Sequence, residues 1–143
     1  MNTASPNTAT ATPEPDVAYK SGFFDLERDS VGSWRWMSEQ GTVRLKNTGK
    51  DMKLRIVGVA PLEQIKATPN LKVTFNGETL EEFAAKAEVD KEFVIPAAKQ
   101  GSGAASELVI SASKSFVPKQ FDPKSNDERK LSFSLRQLTW EAK

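Results

Sequence analysis

The stretch Leu71-Lys-Val-Thr-Phe-Asn-Gly77 decides the fold class of this chain. Its apolar side chains recur at every second position, separated by lysine and threonine, which is the period of a β-strand with one face in a core. The Asn-Gly pair that follows tolerates the positive φ angles of a tight type I′ turn. We therefore expect a β-hairpin whose second strand lies near residues 78–83, with a short helix over residues 80–87 as the alternative.

The same alternation recurs along the rest of the chain. Apolar and polar side chains take turns in the runs 43–45, 52–56, 108–112 and 131–135. Turn residues separate these runs, and residues 62–65 are a candidate for one helical turn. Seven to nine short strands without a long helix predict an all-β protein, an antiparallel β-sandwich of jelly-roll-like form.

The last run changes phase. Its apolar residues stand at odd positions up to Leu135 and at even positions from Leu138 to Trp140. A β-bulge near residues 136–137 would return Leu138 and Trp140 to the core.

Composition excludes several classes of function. The chain has 143 residues, enough for one domain, and neither cysteine nor histidine. Ser-His-Asp, Cys-His and zinc–thiolate sites are therefore impossible within it. Twenty basic and nineteen acidic residues give a net charge of +1, which provides no long-range attraction for nucleic acid.

The sequence predicts neither a membrane span nor a signal peptide. No apolar run is long enough to span a bilayer, and no basic region followed by an apolar run stands at the N-terminus, although a leader removed before Met1 fits the sequence equally well.

The N-terminal segment differs in composition from the rest. Residues 1–18 are rich in threonine, alanine and proline and have almost nothing to bury, which predicts a disordered tail or linker. Residues 19–143 are the predicted β-sandwich domain.

Two tryptophans stand out within Ser33-Trp-Arg-Trp-Met37. On a strand, Trp34 and Trp36 share one face and Arg35 lies on the other. One interpretation is a stacking platform for a sugar ring or a base, with Arg35 supplying a polar contact. The alternative, a pair of core residues, is favoured because tryptophans in a small β domain are mostly buried; exposure of both indoles would reverse that preference.

A second group of candidates precedes the last strand. Residues 116–123 carry Phe116, a second phenylalanine and two prolines, and Asp127 and Arg129 follow. Oxygen ligands suit calcium, but the spacing does not match an EF-hand, so a stiff loop with a solvated acidic patch is the preferred interpretation and no metal site is predicted. Arg129 is expected to pair with Asp127, or with Asp25 or Glu27, and to fix the loop.

These runs also carry a family resemblance. The opening runs Gly22–Arg28, Ser33–Met37 and Gly41–Leu45, and the closing runs Ser113–Pro118 and Asp127–Leu131, resemble bacterial β-sandwich modules. Such modules occur in cell-envelope proteins and beside membrane-embedded sugar transferases. The resemblance implies a jelly-roll-like, carbohydrate-binding-like fold and an accessory, non-catalytic role.

The positions that match the resemblance are Trp34, Arg35, Phe116, Asp127 and Arg129, and with Trp36 they form the predicted ligand site. We expect a non-catalytic, extracytoplasmic binding module of a bacterial envelope protein, periplasmic or envelope-associated. Its expected partner is a glycan or another envelope protein, without cofactor, nucleic acid or membrane insertion. The alternative is a structural or protein-interaction domain, which predicts buried tryptophans and an exposed apolar patch or sheet edge.

Overall fold

The computed structural model describes residues 16–143 of the chain. Most of the predicted tail therefore lies outside the described residues. The first strand, β1 (Val17–Tyr19), includes two residues that the composition assigned to the tail. Val17 and Tyr19 pack against the core, so the domain includes them.

Two five-stranded sheets form a sandwich, and all strand pairs are antiparallel. The back sheet has the order β1, β4 (Gln40–Lys46), β9 (Ala105–Ala112), β6 (Asn70–Phe75) and β7 (Glu78–Ala84). The front sheet has the order β2 (Glu27–Arg28), β3 (Ser33–Met37), β10 (Phe133–Ala142), β5 (Met52–Val59) and β8 (Glu88–Ile95). The prediction of an all-β sandwich is confirmed.

The chain crosses repeatedly between the sheets, in the jelly-roll manner. For example, β3 lies in the front sheet, β4 in the back sheet and β5 in the front sheet again. The inward side chains of both sheets meet in one core. Its largest fully buried members are Phe75, Phe133, Met37, Leu45 and Leu54.

The hairpin predicted from Asn76 and Gly77 is confirmed. Strands β6 and β7 are paired, and the two turn residues have φ angles of 49° and 83°, both in the left-handed region. The helical alternative over residues 80–87 is wrong, because Glu78–Ala84 is strand β7.

The predicted bulge in the last strand is also present. The pairing of β10 with β5 shifts between Leu135 and Gln137. Beyond the shift, Trp140 is buried and Leu138 packs against the core. The extra residue, Arg136, is exposed on the outer face of the front sheet.

Three one-turn helices lie in the connections: α1 (Leu62–Ile65), α2 (Ala97–Gln100) and α3 (Pro118–Phe121). The first is the turn expected from the sequence, and α3 shapes the loop described below. Among residues 16–143, no helix is long and apolar enough to cross a membrane.

Candidate functional site

A long loop connects β9 to β10 and folds back on itself. Phe116 and Leu131 form an isolated antiparallel bridge, in which each backbone N–H donates to the other's carbonyl oxygen at 2.9 and 2.8 Å. Between them the loop contains α3, and the N–H of Lys119 donates to the carbonyl of Asp127 at 2.9 Å. Residues 116–131 therefore form a compact loop with closed ends, the type called an Ω-loop.

The Ω-loop continues an aromatic row that begins on β3. The rings of Trp36 and Phe116 meet edge to face, with centroids 6.0 Å apart and planes at 73°. Phe116 makes the same kind of contact with Phe121, at 6.5 Å and 78°. Such edge-to-face pairs are favourable arrangements of aromatic quadrupoles. Phe121, at the end of the row, keeps 49% of its surface exposed.

Arg129 lies near the end of the Ω-loop and is held by three partners, Asp127, Glu27 and Phe24. Its Nε lies 2.9 Å from Oδ1 of Asp127 and its Nη2 lies 2.6 Å from Oδ2. Its Nη1 lies 3.3 Å from a carboxylate oxygen of Glu27 on β2. The guanidinium also stacks over the ring of Phe24, 4.8 Å from its centroid. The expected pairing of Arg129 is thus present with two carboxylates, Asp127 and Glu27.

The ion pair changes the chemistry of Asp127. Hydrogen bonds from the Arg129 guanidinium hold the pKa of this carboxyl below its ordinary value, although partial burial opposes the shift. The backbone N–H of Arg129 also donates to Oδ1 at 3.0 Å. Asp127 is consequently ionised at neutral pH and acts as a fixed hydrogen-bond acceptor.

Members of the aromatic row and of the charged cluster line the same groove, which has a volume of about 340 Å³. Its walls come from β2, β3, the α1 turn and the Ω-loop. The lining residues are Glu27, Trp36, Gln64, Phe116, Pro118, Phe121, Asp122, Ser125, Asp127, Arg129 and Leu131. Four of the six residues predicted from the sequence, Trp36, Phe116, Asp127 and Arg129, are brought together here.

The other two predicted residues lie outside the groove. Trp34 is on the same face of β3 as Trp36, but Arg136 covers it, 5.2 Å from its ring centroid. Arg35 lies on the opposite side of the strand, 4.3 Å above the ring of Tyr19. Neither Trp34 nor Trp36 belongs to the core; both are half-buried. The interpretation of the pair as core residues is therefore wrong.

Seven of the eleven lining residues were missing from the predicted site, among them Phe121 and Gln64. Phe121 is the last residue of α3 and belongs to the aromatic, proline-rich run 116–123, so the available signal was a second phenylalanine five positions after Phe116. Gln64 comes from α1, about fifty positions before the Ω-loop, and nothing in its local sequence marks it.

The acidic residues of the Ω-loop are engaged by the loop itself. Asp122 accepts the backbone N–H of Lys124 at 3.0 Å, and Asp127 pairs with Arg129 as described. Within residues 16–143, no group of three or more histidine, cysteine, aspartate or glutamate residues is arranged to hold a metal ion.

No protein-family model matches the chain, and no curated protein matches it in sequence. Among solved structures, it is similar to the native structure of a family 35 carbohydrate-binding module from Clostridium thermocellum. The two share 8% sequence identity and a TM-score of 0.38, over 85% of this chain and 87% of that one. The assignment of the sandwich rests on the two sheets themselves.

Proposed function

We propose that this chain is a non-catalytic binding module for a glycan, and that the groove between Trp36 and Arg129 is its site. The observation that carries the proposal is that aromatic side chains and a fixed set of charged hydrogen-bonding groups line the same groove. A sugar ring needs both, because its C–H face is apolar and its rim carries hydroxyl groups.

The size and rigidity of the groove support this assignment. Its volume of about 340 Å³ falls in the range of roughly 300–1,000 Å³ that is typical of small-ligand sites. Arg129 is already held by Asp127, Glu27 and Phe24, so ligand binding does not have to order it. A preorganised site loses less conformational entropy on binding.

The carboxylates of the groove favour binding over hydrolysis. A glycosidase needs one carboxyl with a raised pKa as general acid and a second as base or nucleophile. Here the pKa of Asp127 is lowered, and Glu27 shares the same guanidinium. Both groups are placed to accept hydrogen bonds from sugar hydroxyls.

We further propose that the module acts outside the cytoplasm as part of a bacterial envelope protein. The support is the resemblance of residues 22–45 and 113–131 to envelope-associated modules. Fractionation of the native host with an antibody against this chain tests it: recovery in the periplasmic or envelope fraction is expected, and recovery only in the cytosol would contradict it.

A glycan array followed by calorimetry with the best ligand tests the binding function. Phe121→Ala removes an exposed aromatic from the groove, and Val94→Ala removes a similarly exposed apolar side chain from β8, outside the residues that line the groove. We expect the first variant to weaken binding about tenfold, as loss of about 1.4 kcal/mol does, and the second to leave it unchanged. A blank array, or equal affinities for both variants, would refute a glycan site in this groove.

One observation favours a second candidate function, protein interaction. The turn between β2 and β3 presents Val31 with 88% of its surface exposed. Oδ1 of Asp29 accepts the N–H groups of Val31 and Gly32 at 2.8 and 3.0 Å, which closes the turn around its own side chain. Leu26, 43% exposed, lies just before the hairpin.

A photo-crosslinking residue at position 31 tests the protein-interaction function in the native host. One specific cross-linked envelope protein, together with a blank glycan array, would favour this function.

A further inference from the structure

We infer that the site binds a glycan chain across two adjoining subsites rather than a single terminal sugar. This inference rests on the proposed function and names its ligand class. A second cavity of about 220 Å³ opens beside the groove. Its lining residues are Gln64, Lys66, Ser115, Phe116, Val117, Gln120 and Phe121.

The two cavities share a common wall. Gln64, Phe116 and Phe121 line both of them. The two phenylalanine rings meet edge to face at 78°, which keeps their planes nearly perpendicular. They form a ridge with ligand space on each side, and Gln64 supplies an amide donor and acceptor that borders both spaces. A chain that crosses the ridge contacts the same aromatic pair with two of its units.

The second cavity is too small to act alone. Its volume of about 220 Å³ lies below the roughly 300–1,000 Å³ typical of independent small-ligand sites. As a continuation of the groove, it extends the contact surface of a ligand that is already anchored between Trp36 and Arg129. An extension of this kind predicts that affinity increases with chain length.

The two subsites offer different polar groups. Three carboxylates and one guanidinium line the groove, whereas the second cavity has Lys66 and no acidic lining residue. Lys66 is the C-cap of α1 with a φ of 62°, and its backbone N–H donates to the carbonyl of Leu62 at 2.8 Å, so its backbone is fixed by the helix end. The ammonium group and the amide of Gln120 are donors suited to the hydroxyl groups of the next sugar unit.

The test compares ligands of increasing length. Calorimetry is performed with gluco-, manno-, xylo- and chito-oligosaccharides of one to four units, starting from the series that binds. We expect affinity to rise about tenfold or more from the monosaccharide to the trisaccharide, a difference of about 1.4 kcal/mol. Equal affinity for both would overturn the second subsite while leaving the groove as a sugar site.

Variants then assign the gain to the second cavity. Lys66→Gln and Gln120→Ala are expected to lower trisaccharide affinity several-fold and to leave monosaccharide affinity unchanged. Lys119→Gln is the matched control, because Lys119 also lies on α3 but pairs with Glu128 at 3.2 Å and lines neither cavity. A length dependence that survives both cavity variants would overturn the inference. Absence of binding by every series at every length would instead refute the proposed function itself.

Discussion

Arg129 and Asp127, two positions apart, form a two-point ion pair at the exit of the Ω-loop. Nε and Nη2 of the arginine lie 2.9 and 2.6 Å from the two carboxylate oxygens. Their side chains are 33% and 27% exposed, so water screens the pair only in part. Because Arg129 also reaches Glu27 on β2, the pair ties the loop to the edge of the front sheet. The shape of the groove therefore depends on an ionised Asp127.

Asp127→Asn should destabilise the fold at neutral pH and not in acid. Because folding lowers the pKa of Asp127, its ion pair stabilises the protein above the unfolded-state pKa of about 3.9 and loses this contribution as pH falls through the folded-state value. We expect a loss of about 1 kcal/mol in the free energy of unfolding at pH 7. Urea denaturation of the parent and the variant, at neutral and at strongly acidic pH, measures this loss in the free energy of unfolding.

The control for this experiment is Asp25→Asn, which changes an exposed carboxylate in the segment just before β2. It should alter stability little at either pH. If the difference in the free energy of unfolding between the parent and Asp127→Asn stays constant down to strongly acidic pH, the stabilisation by this pair does not depend on the charge of Asp127.

Gly58→Ala should destabilise the sandwich through overpacking. Gly58 pairs with Leu135 next to the bulge in β10, and a Cβ at this position would collide with the ring of Phe133 and the carbonyl of Ser134. Overpacking of this kind costs about 1–3 kcal/mol. Gly103→Ala is the matched control, since its Cβ would meet no atom within 4 Å. Thermal unfolding compares the two; equal midpoints would contradict the close approach of Phe133 to β5.

Local patterns were sufficient to predict the strands and their turns. The Asn76–Gly77 hairpin and the bulge at residues 136–137 depend on backbone geometry within a few positions, and both are present. Alternation also separated inward from outward side chains, because any strand of a sandwich has one covered face. The order of strands within each sheet depends on contacts between distant segments, and no local pattern encodes it.

The site was predicted only in part for the same reason. Trp36 and Phe116 are eighty positions apart, and the edge-to-face contact between them exists because the Ω-loop folds over the outer face of β3. The local sequence does not distinguish a core tryptophan from one that lies on the outer face and is partly covered by distant residues. Phe116 of the Ω-loop covers Trp36 and Arg136 covers Trp34, which explains the wrong interpretation of the pair. Arg35 was expected on the face of β3 opposite the tryptophans and lies there, stacked on Tyr19, so it does not line the groove.

Tyr19 should titrate above its ordinary range. Burial raises the pKa of the Tyr19 phenol because it disfavours the phenolate, and the Arg35 guanidinium opposes the shift in part. Since Tyr19 is the only tyrosine in the chain, absorbance near 295 nm follows it directly. We expect a midpoint above pH 10 in the folded protein, and a higher one in Arg35→Gln, where the opposing cation is lost.

The same titration in concentrated guanidinium chloride gives the unfolded reference. Because folding raises this pKa, the free energy of unfolding should fall as pH rises above the unfolded-state value of about 10. A folded midpoint equal to the reference, or a lower one in Arg35→Gln, would contradict the packing of Tyr19 beneath Arg35.

The groove should discriminate against acidic sugars. Glu27, Asp122 and Asp127 line it with one compensating cation, and Arg129 already gives Nε, Nη1 and Nη2 to two of these carboxylates. A uronic acid would bring a further negative charge into a site with net negative charge, whereas a neutral hexose would not. We expect the hexose to bind several-fold more tightly than the matching uronic acid at low ionic strength. This difference in affinity should become smaller in about 1 M salt, where the Debye length is about 3 Å.

Asp122→Asn should also reduce the difference in affinity between the two sugars, since the carboxylate of Asp122 makes no ion pair with the described residues. Tighter binding of the uronic acid would mean that Arg129 releases Asp127 to receive the ligand, and that the two-point ion pair opens on binding.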